Sequence, residues 1–210
     1  MPILLELPYL PNVQFFTKFL QEEAVVLEQH EHYLKGSYRN RCHLAGSHGL
    51  LRLSVPLRKG KHEQLPIREV RIAYDEPWPH QHAETIRSAY GRSPYFEFYG
   101  PELLDFYQRP YDLLFDLNLD LLQFLLRALQ IEWTPRFTDA YQPSPPAGWT
   151  DLRDAIHPKA HRQIKDPRFR AAKYPQVFAE KHGFLPNLSV IDLLFCAGPQ
   201  ARLVLAECIT

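Results

Sequence analysis

Sulfur is scarce in this chain, with one methionine and three cysteines among 210 residues. Cys42, Cys196 and Cys208 are odd in number, widely spaced and form no C-x-x-C pair, which argues for reduced thiols and against a disulfide framework. Cys196, inside Leu-Leu-Phe-Cys-Ala, reads as a core residue. Cys42, beside Arg39, Arg41 and His43, is the one thiol that local positive charge would activate. Net charge is also missing. The 24 basic and 24 acidic residues cancel, which excludes bulk attraction to nucleic acid or an anionic membrane, so any anion must be held locally. No apolar run approaches the length of a membrane span, and Met1-Pro2-Ile3-Leu4-Leu5-Glu6 lacks the basic start and small-residue cleavage site of a signal peptide. A cytoplasmic protein without membrane insertion is expected. The common phosphate-binding glycine loops and the G-x-S-x-G nucleophile turn are absent, and no cofactor is expected.

Proline and aromatic residues are abundant. Nineteen prolines and 13% aromatics, without low complexity, read as a fold with rigid connections and sharply ended helices. Ile3-Leu4-Leu5 reads as a first strand, the proline turn 8–11 follows, and Asn12 is placed to cap a helix carrying Val13, Phe16 and Phe19-Leu20 on one face. Residues 24–27 form a second strand, so the start is a minimal βαβ unit. Further strands are expected at 50–57 and 70–73, with a polar stretch at 59–64 between them and a short strand at 134–138. Helices are expected at 78–90, ended by Gly91, at about 101–108 and at 111–129, where a leucine stripe faces the core. Others follow near 176–182 and at 188–195, the latter capped by Gly198. The fold class is α/β: a Rossmann-like open, mostly parallel sheet flanked by helices, with a helical C-terminal extension. Residues 1–140 form the core, 141–150 a proline-rich linker, and 151–210 an extension packing back on the core.

Chemistry concentrates in residues 30–43, H-E-H-Y-L-K-G-S-Y-R-N-R-C-H, which leave the end of the second strand. Polar segments in that position commonly carry ligand contacts in α/β folds. His30 and His32 alternate and share one side of an extended segment, suiting acid–base chemistry. A metal site is not assigned, because no third ligand follows from the spacing, and His80 and His82 diverge on a helix start. Tyr38-Arg39-Asn40-Arg41 offers two guanidinium forks that suit phosphate or carboxylate; salt bridges at a surface turn are the competing explanation. Lys18 by itself reads as a solvated helix face. Asp112, Asp116 and Asp120 share one helix face and read as a solvated edge. Asp192, on an apolar face, must pair with a cation or turn outward.

Taken together, Pro8-Tyr9-Leu10-Pro11 with Phe15-Phe16 and Lys18, Tyr38-Arg39-Asn40-Arg41, Leu53-Ser54-Val55-Pro56-Leu57, Ser93-Pro94-Tyr95-Phe96 and the ordered run from Pro186 and Asn187 to Phe195 resemble the WbqC-like protein family. The resemblance implies a role in bacterial surface-glycan metabolism of the O-antigen type, with glycine, aminoacyl or related group transfer. It implies a small anionic partner resembling a nucleotide sugar. Tyr9, Lys18, Tyr38, Arg39, Asn40 and Arg41 would bind that ligand, and His30 or His32 would serve as the catalytic acid–base group. Where the resemblance leads one to expect a histidine in the turn after the first strand, this chain has Leu5-Glu6-Leu7-Pro8. A non-catalytic ligand-binding or scaffolding protein derived from such an enzyme is the alternative.

Overall fold

A computed structural model describes residues 1–21, 24–58, 60 and 65–210. The polar stretch expected at 59–64 lies, Gly60 apart, outside the described residues. In chain order the elements are β1 (Ile3–Leu5), α1 (Val13–Thr17), β2 (Val25–Leu27), β3 (Arg41–Gly46), β4 (Gly49–Ser54), α2 (Trp78–Tyr90), α3 (Phe96–Asp105), α4 (Leu114–Ala128), β5 (Thr150–Asp151), α5 (Ala179–His182), α6 (Val190–Ala197) and α7 (Ala201–Glu207).

The parallel sheet has three short strands in the order β2-β1-β5, with Ile3 opposite both Val25 and Thr150. All of β1 and β2 is buried. The opening strand–helix–strand unit is therefore a parallel pair, as its apolar runs imply. Residues 50–57 do not enlarge this sheet. Their first half is β4, which pairs antiparallel with β3 in a hairpin, Gly46 opposite Gly49. The fold is mixed α/β, and among the described residues its parallel part consists of those three strands and one bridge beside β2.

Asn12 caps α1 as expected: its side-chain oxygen accepts a hydrogen bond from the Phe15 amide at 3.0 Å. The cap is buried, and Asn12→Ala is expected to lower unfolding free energy by about 1 kcal/mol in urea titrations. Helix α2 occupies the range expected from its flanking prolines and Gly91. Helix α3 starts five residues earlier than expected and takes Pro101 inside it. Helix α4 starts late, because residues 111–113 are drawn into contact with the 70–73 segment. Arg71 bridges Leu113, and the Leu114 amide donates to the Val70 carbonyl. Residues 134–138 make a single parallel bridge, Phe137 to Leu27, beside β2.

The leucine stripe of α4 and the whole of α6 fill the core. A helix that is apolar all round must be enclosed, which puts Asp192 at zero exposure. It neither meets a cation nor turns outward. Its carboxylate accepts from Tyr90 Oη at 2.9 Å, Tyr174 Oη at 2.7 Å and Gln176 Nε2 at 2.9 Å. Three neutral donors answer the cost of burying it. Gly198 ends α6 with φ 54°, and a Cβ there would lie 2.4 Å from the Tyr95 ring. Only glycine fits that stop. Helix α7, which the apolar pattern did not announce, follows. Among the described residues no helix is long and apolar enough to cross a membrane.

Candidate functional site

The connections leaving the carboxyl ends of the three parallel strands meet, and they carry an unusual density of charge. Glu6 follows β1, Glu28 and Glu31 follow β2, and Arg153 and Asp154 follow β5. Crevices at this edge are where open α/β sheets place ligands.

Most of this charge is consumed internally. Arg39 is 1% exposed. Its Nε donates to Glu31 Oε1 at 2.7 Å, its Nη2 to Glu31 Oε2 at 2.5 Å and its Nη1 to Asp154 Oδ1 at 2.8 Å. Burial alone would lower the Arg39 pKa, but Glu31, Glu6 and Asp154 raise it well above the ordinary arginine value. Glu31 is pushed up by burial against the opposing pull of Arg39. Glu6 is pushed up to about 7, first by burial, with Arg39 opposing and Glu31 and Asp154 adding to the rise. Its Oε2 accepts the Asp154 amide at 3.0 Å, and Asp154 holds a left-handed backbone, φ 60°. Alongside, Glu28 accepts from Thr138 Oγ1 at 2.7 Å, the His30 amide at 2.8 Å and Arg153 Nη1 at 3.0 Å. This cluster ties the C-terminal segment to the sheet.

Beside it, the same two chain segments line an open cleft of about 710 Å3. His32, Lys35, Gly36 and Arg41 come from the connection after β2, and Lys159 and Arg162 from the one after β5. Among the described residues its lining has four Lys or Arg side chains and no carboxylate. The local folding explains the placement. Ser37 Oγ donates to the Leu34 carbonyl at 2.7 Å and accepts the Arg39 amide at 3.3 Å, which turns the chain. Gly36, at φ 86°, allows the turn, and Lys159 lies over it, 3.8 Å from where a Cβ would stand. Across the cleft, His157 Nδ1 accepts the Lys159 amide at 3.0 Å and opens the 3-10 turn Ala160–Arg162. Four cations facing a solvent-accessible space, with no carboxylate among the described lining residues, make a site electrostatically suited to an anion. A second cleft, about 700 Å3 and lined by Leu126, Ile131 and Trp133, lies at the opposite end of β2, where Trp133 Nε1 donates to the Val25 carbonyl. It has neither the strand-end position nor the concentrated charge.

Of the eight residues singled out from sequence, two line the basic cleft: His32, which is exposed, and Arg41. His30 is exposed and outside the lining. Arg39 is the buried centre of the ion cluster. Tyr38 is buried, with its phenol pushed up to about 12 by burial and its Oη 3.2 Å from His43 Nδ1. Asn40 is buried and donates to the Val55 carbonyl at 2.9 Å. Tyr9 has no exposure, and its Oη lies 2.9 Å from His82 Nδ1 and 2.6 Å from Tyr107 Oη. Lys18 is not a solvated face: it is 1% exposed and pairs with Asp166 at 2.5 Å. Asp166 arrives from a distant segment, so the pairing has no local signal. Cys42 is not activated, because it is buried between the hairpin and the core and burial pushes its thiol up. Arg39, its neighbour in sequence, points its charge into carboxylates. Asp112, Asp116 and Asp120 stay apart as sites: Asp112 pairs with Arg58 and Arg71, and Asp120 accepts from Tyr111 Oη. Among the described residues no group of three His, Cys, Asp or Glu side chains is arranged to hold a metal ion.

Lys35, Lys159 and Arg162 were missed. The signal available for the last two was the basic run Lys159-Ala160-His161-Arg162. Residues 8–152 match the WbqC-like protein family. No curated protein and no solved structure matches the chain.

Proposed function

The chain belongs to the WbqC-like protein family, and from that premise we propose that it acts in bacterial surface-glycan metabolism as a group transferase. The proposed ligand is a small anion of the nucleotide-sugar kind, and the transferred group is glycyl, aminoacyl or related. The observation that carries this reading is the cleft at the carboxyl edge of the parallel strands, whose described residues include four cations and no carboxylate. In it, Arg41, Lys159 and Arg162 hold the anionic group, and His32, exposed at the same cleft, is the acid–base residue. Arg39 acts from behind by fixing Asp154 and the segment that carries Lys159. Residues 151–210 then form an extension of a 1–140 core, joined through 141–150, and complete its site. We place the protein in the cytoplasm, where nucleotide-linked donors are made.

A ligand that binds only the folded state at a hundred times its Kd stabilises that state by about 2.7 kcal/mol. UDP-glucose at saturating concentration is therefore expected to raise the melting temperature of the wild type by several degrees. Arg41→Ala and Lys159→Ala should remove most of that rise. His32→Gln should keep it and lose transfer activity. A rise that survives both cation variants would sink the cleft assignment.

One observation favours the non-catalytic alternative. Glu6, the titratable group in the turn after β1, is 3% exposed and faces the ion cluster. That leaves His32 as the one histidine, with no carboxyl beside it, among the described residues of the cleft lining. Binding of UDP-glucose without turnover, across aminoacyl, glycosyl and nucleotidyl acceptors, would select that alternative.

A further inference from the structure

The basic cleft does not stop at Arg41. In the hairpin, Cys42, Leu44 and Leu53 point inward and are buried. Period-two alternation therefore puts Arg41 and His43 of β3 on the outer face with Arg52 and Ser54 of β4. The register sets His43 directly opposite Arg52 and Arg41 opposite Ser54, so Arg52 is the diagonal neighbour of Arg41. Positive groups opposed across a strand pair repel one another. Here nothing offsets them: among the described residues neither Arg41 nor Arg52 forms an ion pair, and Arg41 Nε is shut from solvent without a hydrogen-bond partner. His43 meets the Tyr38 phenol, with Oη 3.2 Å from its Nδ1 and the rings edge-on at 5.3 Å between centres, and that phenol supplies no counter-charge. Burial, then Arg41 and Arg52, pushes the His43 pKa below its ordinary value. Two guanidinium groups flanking a histidine on one face, next to the basic cleft, make that face suited to an anion.

We propose that the outer face of the hairpin at Arg41, His43 and Arg52 is a second anion subsite, taking a further phosphoryl group of a ligand whose first phosphoryl group sits between Arg41, Lys159 and Arg162. Arg41 belongs to both subsites, and its planar fork suits two acceptors in line. The inference rests on the cleft reading and sharpens it: the ligand carries at least two phosphoryl groups, and Arg52 reads the second.

Inorganic phosphate and tripolyphosphate are suitable probes, titrated by calorimetry, with His43 followed by proton NMR. Tripolyphosphate is expected to bind the wild type about ten-fold more tightly than phosphate, the equivalent of one added charge-assisted contact. It should also raise the pKa of His43, since a negative group over the hairpin counters Arg41 and Arg52. Arg52→Ala, an exposed strand position, should abolish the tripolyphosphate advantage and leave phosphate affinity as it was. The subsite is refuted if tripolyphosphate leaves the His43 titration in place or if Arg52→Ala keeps the advantage. Lys159→Ala separates the two readings. Should phosphate bind equally well to that variant while Arg52→Ala still removes the tripolyphosphate gain, the cleft assignment fails and the hairpin subsite stands.

Discussion

Arg39→Ala is expected to lower the unfolding free energy by about 3–5 kcal/mol at pH 7.5, and by much less near pH 5. All three guanidinium nitrogens donate to Glu31 or Asp154, and Glu31 and Glu6 are buried with it. Removing the cation leaves carboxylates in a site from which water is excluded, which costs far more than the pair itself contributes. Burial already pushes Glu31 and Glu6 upward, and Arg39 is the group holding both down. Without it they rise further. A carboxyl whose folded pKa lies above its unfolded one contributes stability that is fully present below the unfolded value and is lost as pH rises through the folded value. At pH 5 the variant therefore carries neutral acids and a small deficit; at pH 7.5 it carries the full one. Urea midpoints at the two pH values measure the difference, and an equal deficit at both would contradict the account. Arg39→Lys should not restore stability, because one ammonium cannot repeat the fork that grips both Glu31 oxygens. The variant should also lose stabilisation by UDP-glucose, through release of the segment carrying Lys159, which makes Arg41→Ala the cleaner test of ligand contact.

What was legible in the sequence follows from how local each interaction is. The βαβ start, the Asn12 cap, α2 and the leucine stripe of α4 could be read directly, whereas the start of α4 could not, because it is set by contact with the 70–73 segment. The hairpin was partly legible: Arg-Cys-His-Leu alternates with period two across 41–44, but its charges drew attention away from that alternation and toward a loop. The cleft was half legible. The segment 30–43 supplies one side of the cleft, yet composition could not distinguish Arg39, which meets Glu31 and Asp154, from Arg41, which forms no ion pair among the described residues. Those two residues lie two apart, and their roles are separated by Glu31, eight positions upstream, and by Asp154, 115 positions downstream. Lys18 shows the same limit, since Asp166 turns an apparent solvated lysine into a buried pair. Long-range pairing decides which cations remain open to a ligand.

Glu6→Gln is expected to stabilise the protein by up to about 3 kcal/mol at pH 8 and to change little at pH 4.5. The wild-type carboxyl moves from 4.5 to about 7 on folding. Stability from its neutral form is complete below pH 4.5 and drains away as pH rises through 7, after which a buried negative charge persists among Glu31 and Asp154. A glutamine at this position keeps an oxygen to accept the Asp154 amide and cannot ionise. Glu31 and Asp192 are also pushed upward by burial, but both remain in the variant, so their contribution largely cancels in the difference between the two proteins. Urea unfolding at half-unit steps from pH 4.5 to 8 should therefore show curves that meet at the acid end, diverge between about pH 4.5 and 7 and run parallel above. Curves parallel over the whole range would mean that Glu6 keeps an ordinary carboxylate pKa in the folded protein. The same variant separates the cluster from the cleft. Glu6 contributes to the clamp on the 150–162 segment but lines no part of the cationic cleft, so Glu6→Gln should retain stabilisation by UDP-glucose that Lys159→Ala loses. A chain that gains stability at pH 8 and still responds to the ligand assigns the carboxylates to anchoring and the open cations to binding.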